Sequence, residues 1–107
     1  MGAFLFLFAL LLTTISIRFV DGGNAPTGNW YGISGDYTGQ HLAGIIAGGD
    51  IYLSSNFGTS WTAASGAPSA NWHSISVSSS SEYMYACIFD GDIWMSSNYG
   101  AQWQVTT

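Results

Sequence analysis

Ser54-Ser-Asn56-Phe-Gly58-Thr-Ser-Trp61 returns 42 residues later as Ser96-Ser-Asn98-Tyr-Gly100-Ala-Gln-Trp103. Working outward from these octapeptides, the match continues without a gap. Asn29, Trp30, Ile33 and Ser34 recur as Asn71, Trp72, Ile75 and Ser76, and Ile46, Gly49, Asp50 and Ile51 recur as Ile88, Gly91, Asp92 and Ile93. Between Asn29 and Trp61, 13 of 33 positions are identical to their partners. A period near 40 residues is the spacing of propeller blades or helical arrays. The chain therefore reads as a repeat protein, with unit one over 29–70 and unit two over 71–107, and as a piece of a longer array.

The apolar pattern within a unit has period two, which is the strand period. Ile45, Ala47, Ile51 and Leu53 alternate with Ile46, Tyr52 and Ser54. In unit two, Ile75 and Val77, then Tyr83, Tyr85, Cys87 and Phe89, then Ile93 and Met95 do the same. Turn residues separate these runs at 48–50, 56–58, 90–92 and 98–100, and Ala67-Pro68-Ser69 separates the units. No helical period occurs after Ile17. The expected fold is all-β, with two four-stranded antiparallel blades whose first-unit strands lie near 33–35, 42–47, 51–54 and 60–64.

The octapeptide resembles the Asp-box, S-x-D-x-G-x-x-W, of the BNR repeat found in sialidase-like propellers, sortilin-type receptors and photosystem II assembly factors. Both copies carry Asn where the box has Asp. Either side chain accepts backbone N–H bonds inside a turn and tolerates its left-handed positions. The resemblance covers Asn29 to Thr107, and the run from Leu42 to Ser55 also looks like a pattern of secreted bacterial and algal repeat proteins. It implies that Ser54, Asn56, Gly58, Trp61, Ser96, Asn98, Gly100 and Trp103 are structural turn residues, with the glycines at positive φ and the indoles packed over the hairpins.

Composition narrows the function. The chain has 107 residues, 48% hydrophobic and 16% aromatic, which suits a packed domain rather than disorder. One Lys or Arg, Arg18, stands against six acidic residues, for a net charge of −5. Nucleic acid is an unsuitable partner for such a surface, because displacing counterions from a polyanion needs clustered cations. Cys87 is alone, so no internal disulfide forms. It aligns with Ile45, an apolar strand position, and reads as a buried, inert thiol.

Residues 2–17 are almost wholly apolar and would span roughly 24 Å as a helix. They read as a secretory signal or, if retained to residue 20, as an anchor, with 21–28 as a linker. Neither a preceding cation nor a clean cleavage site accompanies the run. The expected location is extracellular or lumenal, with membrane contact only through this segment.

Catalysis is not expected. By the resemblance, a sialidase would need three arginines and a Tyr/Glu nucleophile pair, and this chain has one arginine beside the apolar run. A general glycosidase needs two carboxylates facing across a cleft, whereas Asp50, Asp90 and Asp92 fall in hairpin turns. His41 and His73 occupy non-equivalent repeat positions without metal-like spacing, and Asp90-Gly-Asp92 has too few ligands for calcium. No cofactor is implied. Tyr31, Tyr37, Tyr52, Trp94 and Tyr99 are the aromatics available to stack on sugars, although Tyr52 and Trp94 share a repeat position and suit packing between blades.

These features together predict a non-catalytic binding or assembly module, whose partners are further blades or copies of itself and whose ligand is a glycan or protein. The alternatives are the N-terminal fragment of a sialidase-like glycoside hydrolase or carbohydrate-binding propeller, and a lumenal assembly factor for a membrane complex.

Overall fold

The computed structural model describes residues 24–106. All regular structure among them is β, as the period-two pattern requires. The strands are β1 (Trp30–Gly35), β2 (Leu42–Gly49), β3 (Ile51–Ser54), β4 (Thr62–Ala63), β5 (Ala70–Val77), β6 (Met84–Ile88), β7 (Ile93–Ser96) and β8 (Gln104–Val105). The apolar helix expected within 1–20 lies outside the described residues.

Strands β1 to β4 pair antiparallel in chain order, and β5 to β8 repeat the arrangement. A short antiparallel bridge, Ala47 with Asn71 and Gly49 with Ala70, joins β2 to β5. The result is one curled sheet built of two four-stranded blades. Both innermost pairings carry the same irregularity. Trp30 opposes Ile46 and Gly32 opposes Ile45, so Tyr31 bulges out, and Trp72 opposes Ile88 while Ser74 opposes Cys87, so His73 bulges out.

Backbone bonds recur at the same offset. The Ala47 N–H donates to Asn29 O at 3.0 Å and Phe89 N–H to Asn71 O at 2.9 Å, while Ala64 N–H donates to Ile51 O and Thr106 N–H to Ile93 O, both at 2.8 Å. Equivalence also reaches upstream of Asn29. The Trp30 indole donates to Pro26 O at 3.0 Å and the Trp72 indole to Pro68 O at 3.2 Å. Residues 24–28, part of the expected linker, are thereby held against unit one, and Asn24 Oδ1 accepts the Trp61 N–H at 2.6 Å.

Each blade has two apolar faces because its strands alternate. On one face lie Trp30, Tyr52 and Trp61, whose counterparts are Trp72, Trp94 and Trp103. On the other lie Ala43, Ile45 and Ile51, whose counterparts are Tyr85, Cys87 and Ile93. The second face of unit one packs on the first face of unit two, forming a single core with Trp72, Val77, Met84, Ala86 and Trp103. A Cβ placed on Gly32 would sit 3.5 Å from Ile45 and 3.8 Å from Ile75, and one on Gly100 would strike Leu53 at 2.7 Å, so the units meet closely. Full burial of Ile45 and Ile51 here contributes about 1.5–3 kcal/mol each.

The outer faces are uncovered among the described residues. Ala43 and Ile51 are 0% exposed, whereas Tyr85 and Ile93 at the equivalent positions are 46% and 51% exposed. Cys87 departs from expectation for this reason. It is free and half-buried rather than fully buried, because Ile45 has unit two over it and Cys87 has no described neighbour there.

Candidate functional site

Local chemistry builds the two octapeptide turns. The Ser54 hydroxyl, 5% exposed, accepts the Gly58 N–H at 2.9 Å and the Asn56 N–H at 3.3 Å and donates to Asn56 Oδ1 at 3.0 Å. Asn56 Oδ1 also accepts the Ser60 N–H at 2.9 Å. Ser96 and Asn98 reproduce all of these distances, with Gln102 in place of Ser60. The backbone turns left-handed at two successive residues, Phe57 and Gly58 (φ 61° and 84°), and again at Tyr99 and Gly100 (φ 63° and 86°). Glycine suits the second position; the first is held by an aromatic residue at a steric cost. Buried Trp61 and Trp103 lie back over the turns, donating to Gly58 O at 3.0 Å and Gly100 O at 2.9 Å. All eight residues singled out from the sequence thus sit in two matched turns, engaged with their own backbone.

A loop whose Asp36–His41 pairing the sequence did not flag shares this end of the blades. Asp36 Oδ1 accepts from Thr38 Oγ1 at 2.7 Å, Thr38 N at 3.1 Å and Gly39 N at 2.9 Å, while Oδ2 meets His41 Nδ1 at 2.7 Å. Burial opposes charge on Asp36, but the hydrogen bonds from Thr38, His41 and the Gly39 and His41 backbone outweigh it and lower its pKa from the usual 3.8 to about 2. His41 also borders a cleft of about 250 Å³ containing Ser54, Ser55, Thr62 and Ser81. Hydroxyls near a His–Asp pair suggest acyl-transfer geometry, yet Ser54 is committed to its turn and the ring bonds only Asp36 among the described residues. The pair ties the loop. Elsewhere, Asp50 accepts from Ser69 Oγ at the join between units, and Asp90 turns with φ 57°. Among the described residues no three His, Cys, Asp or Glu side chains converge on a point.

The opposite end carries the starts of β1 and β5 and the β2–β3 and β6–β7 hairpins. Here the bulges bring Tyr31 and His73 together, with ring centroids 5.2 Å apart, and Phe89 follows 5.5 Å from His73. Asn29, Asn71 and Trp72 complete a cleft of about 320 Å³. Of the aromatics weighed from the sequence, Tyr31, Tyr37 and Tyr99 are exposed; Tyr52 and Trp94 are half-buried, Tyr52 tilted against Trp30 at 5.8 Å and Trp94 edge-on to Trp72 at 6.4 Å. His73 and Phe89 escaped that reading. For His73 the only sequence signal was a ring, Tyr31 or His73, directly after the first Trp of each unit; Phe89, aligned with Ala47 in the repeat, carried none.

No protein-family model matches the chain, and no curated protein does. Solved structures do resemble it. The crystal structure of a GH74 enzyme from Niastella koreensis superposes with a TM-score of 0.56 at 20% identity, covering 71% of this chain and 11% of that one. An ancestral GH74 enzyme superposes with a TM-score of 0.61 at 16% identity, covering 74% of this chain and 13% of that one. The chain spans only these small fractions of the enzymes' lengths. At such identities the likeness concerns architecture, and it establishes that the chain has a propeller-like, all-β fold.

Proposed function

We propose that this chain is a non-catalytic Asp-box repeat module, two propeller blades that bind or assemble by docking further units of the same kind. The observation that carries this reading is the pairing of faces. The interface inside the chain buries Ala43, Ile45 and Ile51, and the same positions in unit two, Tyr85, Cys87 and Ile93, form an exposed apolar face. The other outer face, with Trp30, Ile33 and Trp61, lines an apolar cleft of about 380 Å³. Each outer face corresponds to one side of the covered interface, so a second copy can continue the array head to tail. The Ser–Asn–Gly–Trp turns support the Asp-box assignment, since every conserved element of that motif except its Asp is present and engaged.

Light scattering of the full chain over a concentration series tests this. Particle mass is expected to rise with concentration and to fall in Ile93→Glu, which places a charge on the outer face. Because the apolar leader is present in both proteins, association through the leader alone would leave the variant's mass equal to the parent's. That equality, or a monomer at every concentration, rejects the docking role.

The GH74 likeness favours a second reading, a stretch of a hydrolase-like propeller whose catalytic groups reside in other blades. A longer gene product bearing arginines and facing carboxylates would support it; further Ser/Gly/Trp units would support the module.

A further inference from the structure

We propose that the cleft between the starts of β1 and β5 binds a neutral oligosaccharide. Two equivalent bulges create it. An extra residue in a strand re-aims a side chain away from the sheet, and in both blades the re-aimed residue is a ring, Tyr31 or His73. Together with Phe89 they form a row of three rings that no strand pairing requires. Tyr31 is 51% and Phe89 61% exposed, and His73 between them is exposed as well. Trp72, which also lines the cleft, is fully buried and anchored through its indole N–H to Pro68 O.

The chemistry of the row selects its ligand. Pyranose rings present faces of C–H groups polarised by neighbouring oxygens, and these meet the negative faces of aromatic rings favourably. The rings are tilted 43° and 50° to one another at centroid spacings of 5.2 and 5.5 Å, so together they form a curved aromatic surface against which a sugar face can lie. At the rim, Asn29 and Asn71 are exposed while their backbone carbonyls are engaged by Ala47 and Phe89, leaving two side-chain amides to exchange hydrogen bonds with hydroxyls. No Asp, Glu, Lys or Arg lines the cleft, which argues for an uncharged ligand in a chain whose net charge is −5. Its volume of about 320 Å³ falls within the usual range of ligand sites. The site lies wholly within the two described blades; it shares Tyr31 with the apolar cleft invoked for docking, while Asn29, Asn71, His73 and Phe89 line the sugar cleft and not that one.

The test uses the full chain with maltohexaose, cellohexaose and chitohexaose, three neutral oligosaccharides of different linkage or substituent, in saturation-transfer NMR followed by calorimetric titration. At least one is expected to bind. Tyr31→Ala and Phe89→Ala should each weaken it about tenfold, Phe89→Trp should retain it, and Tyr37→Ala, an exposed ring at the other end of the blades, should leave it unchanged. Unfolding midpoints equal to the parent's establish that the alanine variants are folded. Absence of saturation transfer from all three sugars overturns the proposal, as does binding that is indifferent to both alanine variants. Sugar binding is read at Phe89 and particle mass at Ile93, residues of different clefts, so this site and the docking role fail separately.

Discussion

Replacing Ser96 by Ala isolates the contribution of one hydroxyl to the repeated turn. Ser96 is 1% exposed, and its Oγ accepts the Gly100 N–H at 2.9 Å and the Asn98 N–H at 3.3 Å while donating to Asn98 Oδ1 at 3.0 Å. Without it, the buried Gly100 N–H has no acceptor, and an unsatisfied buried donor costs about 1–3 kcal/mol. Asn98 Oδ1 keeps the Gln102 N–H at 2.9 Å, and the Asn98 N–H bond is the longest of the set, so these add little. We expect a loss of about 2 kcal/mol, a large share of the roughly 5–15 kcal/mol that holds a typical domain folded. With a urea slope of about 1 kcal/mol per molar, the unfolding midpoint should fall by about 2 M at unchanged slope. Measurements at one protein concentration keep association from contributing. Ser54→Ala, with the same bonds, should behave alike, and exposed Ser97→Ala should stay within about 0.5 kcal/mol of the parent. If Ser96→Ala matched Ser97→Ala, the hydroxyl would not hold the turn, and the physical basis for reading these octapeptides as structural would be gone.

Trp61→Ala and Trp103→Ala should each cost about 3 kcal/mol or more in the same assay, as removal of a large buried aromatic does, and losses under about 0.5 kcal/mol would mean the indoles do not pack. Asn56→Asp should be nearly neutral: the carboxylate still accepts the Ser60 N–H, and the bond from Asn56 Nδ2 to Ser60 Oγ at 2.8 Å reverses direction with the serine as donor. A shift above about 1 kcal/mol would refute that equivalence. The Asp36 loop should loosen in acid. Its carboxyl titrates lower in the folded chain than its usual 3.8, so its stabilisation is present above that value and is lost as pH falls through about 2. Protection factors at the Thr38 and Gly39 amides, which divide out the intrinsic pH dependence of exchange, should fall across that window, and in Asp36→Asn that fall should vanish.

The legible part of this protein is the part whose physics is local. Ser, Asn, Gly and Trp within eight residues close a turn with bonds to their own backbone, and the alternation of Ile45, Ile51 and Leu53 announces strands. Other parts repeat in backbone without repeating in sequence. Residues 36–42 and 78–84 share no identity at equivalent positions, yet Asp36 N donates to His41 O at 3.0 Å as Ser78 N does to Tyr83 O at 2.8 Å. Gly39 turns with φ 79° and Ser81 with φ 66°. The Asp36–His41 pair is thus one of two side-chain solutions to the same loop, invisible to a search for matching letters. The Tyr31–His73–Phe89 row is hidden for a different reason. It needs a bulge, which sequence periodicity does not locate, and a contact between units 42 positions apart.

Burial depends on position in the array as well as on the strand pattern, which is why Cys87 and Ile45 differ in exposure despite equivalent places. The outer faces also differ in shape from the inner ones. Inside the chain, Ala43 belongs to one side of the covered interface and Val77 to the other. At the equivalent outer positions stand Tyr85 and Gly35, a large residue on one free face and the smallest on the other. Gain of volume on one side with loss on the other is the kind of exchange that keeps a packed contact filled, since interiors tolerate changes that conserve total volume. Two unrelated drifts towards exposure would more naturally have replaced apolar residues by polar ones on both faces, as solvated strand surfaces require. Instead Tyr85, Ile93, Trp30 and Ile33 remain apolar or aromatic. The outer faces carry apolar side chains as buried surfaces do, and in the head-to-tail docking we propose, their opposite differences in size would keep the contact filled.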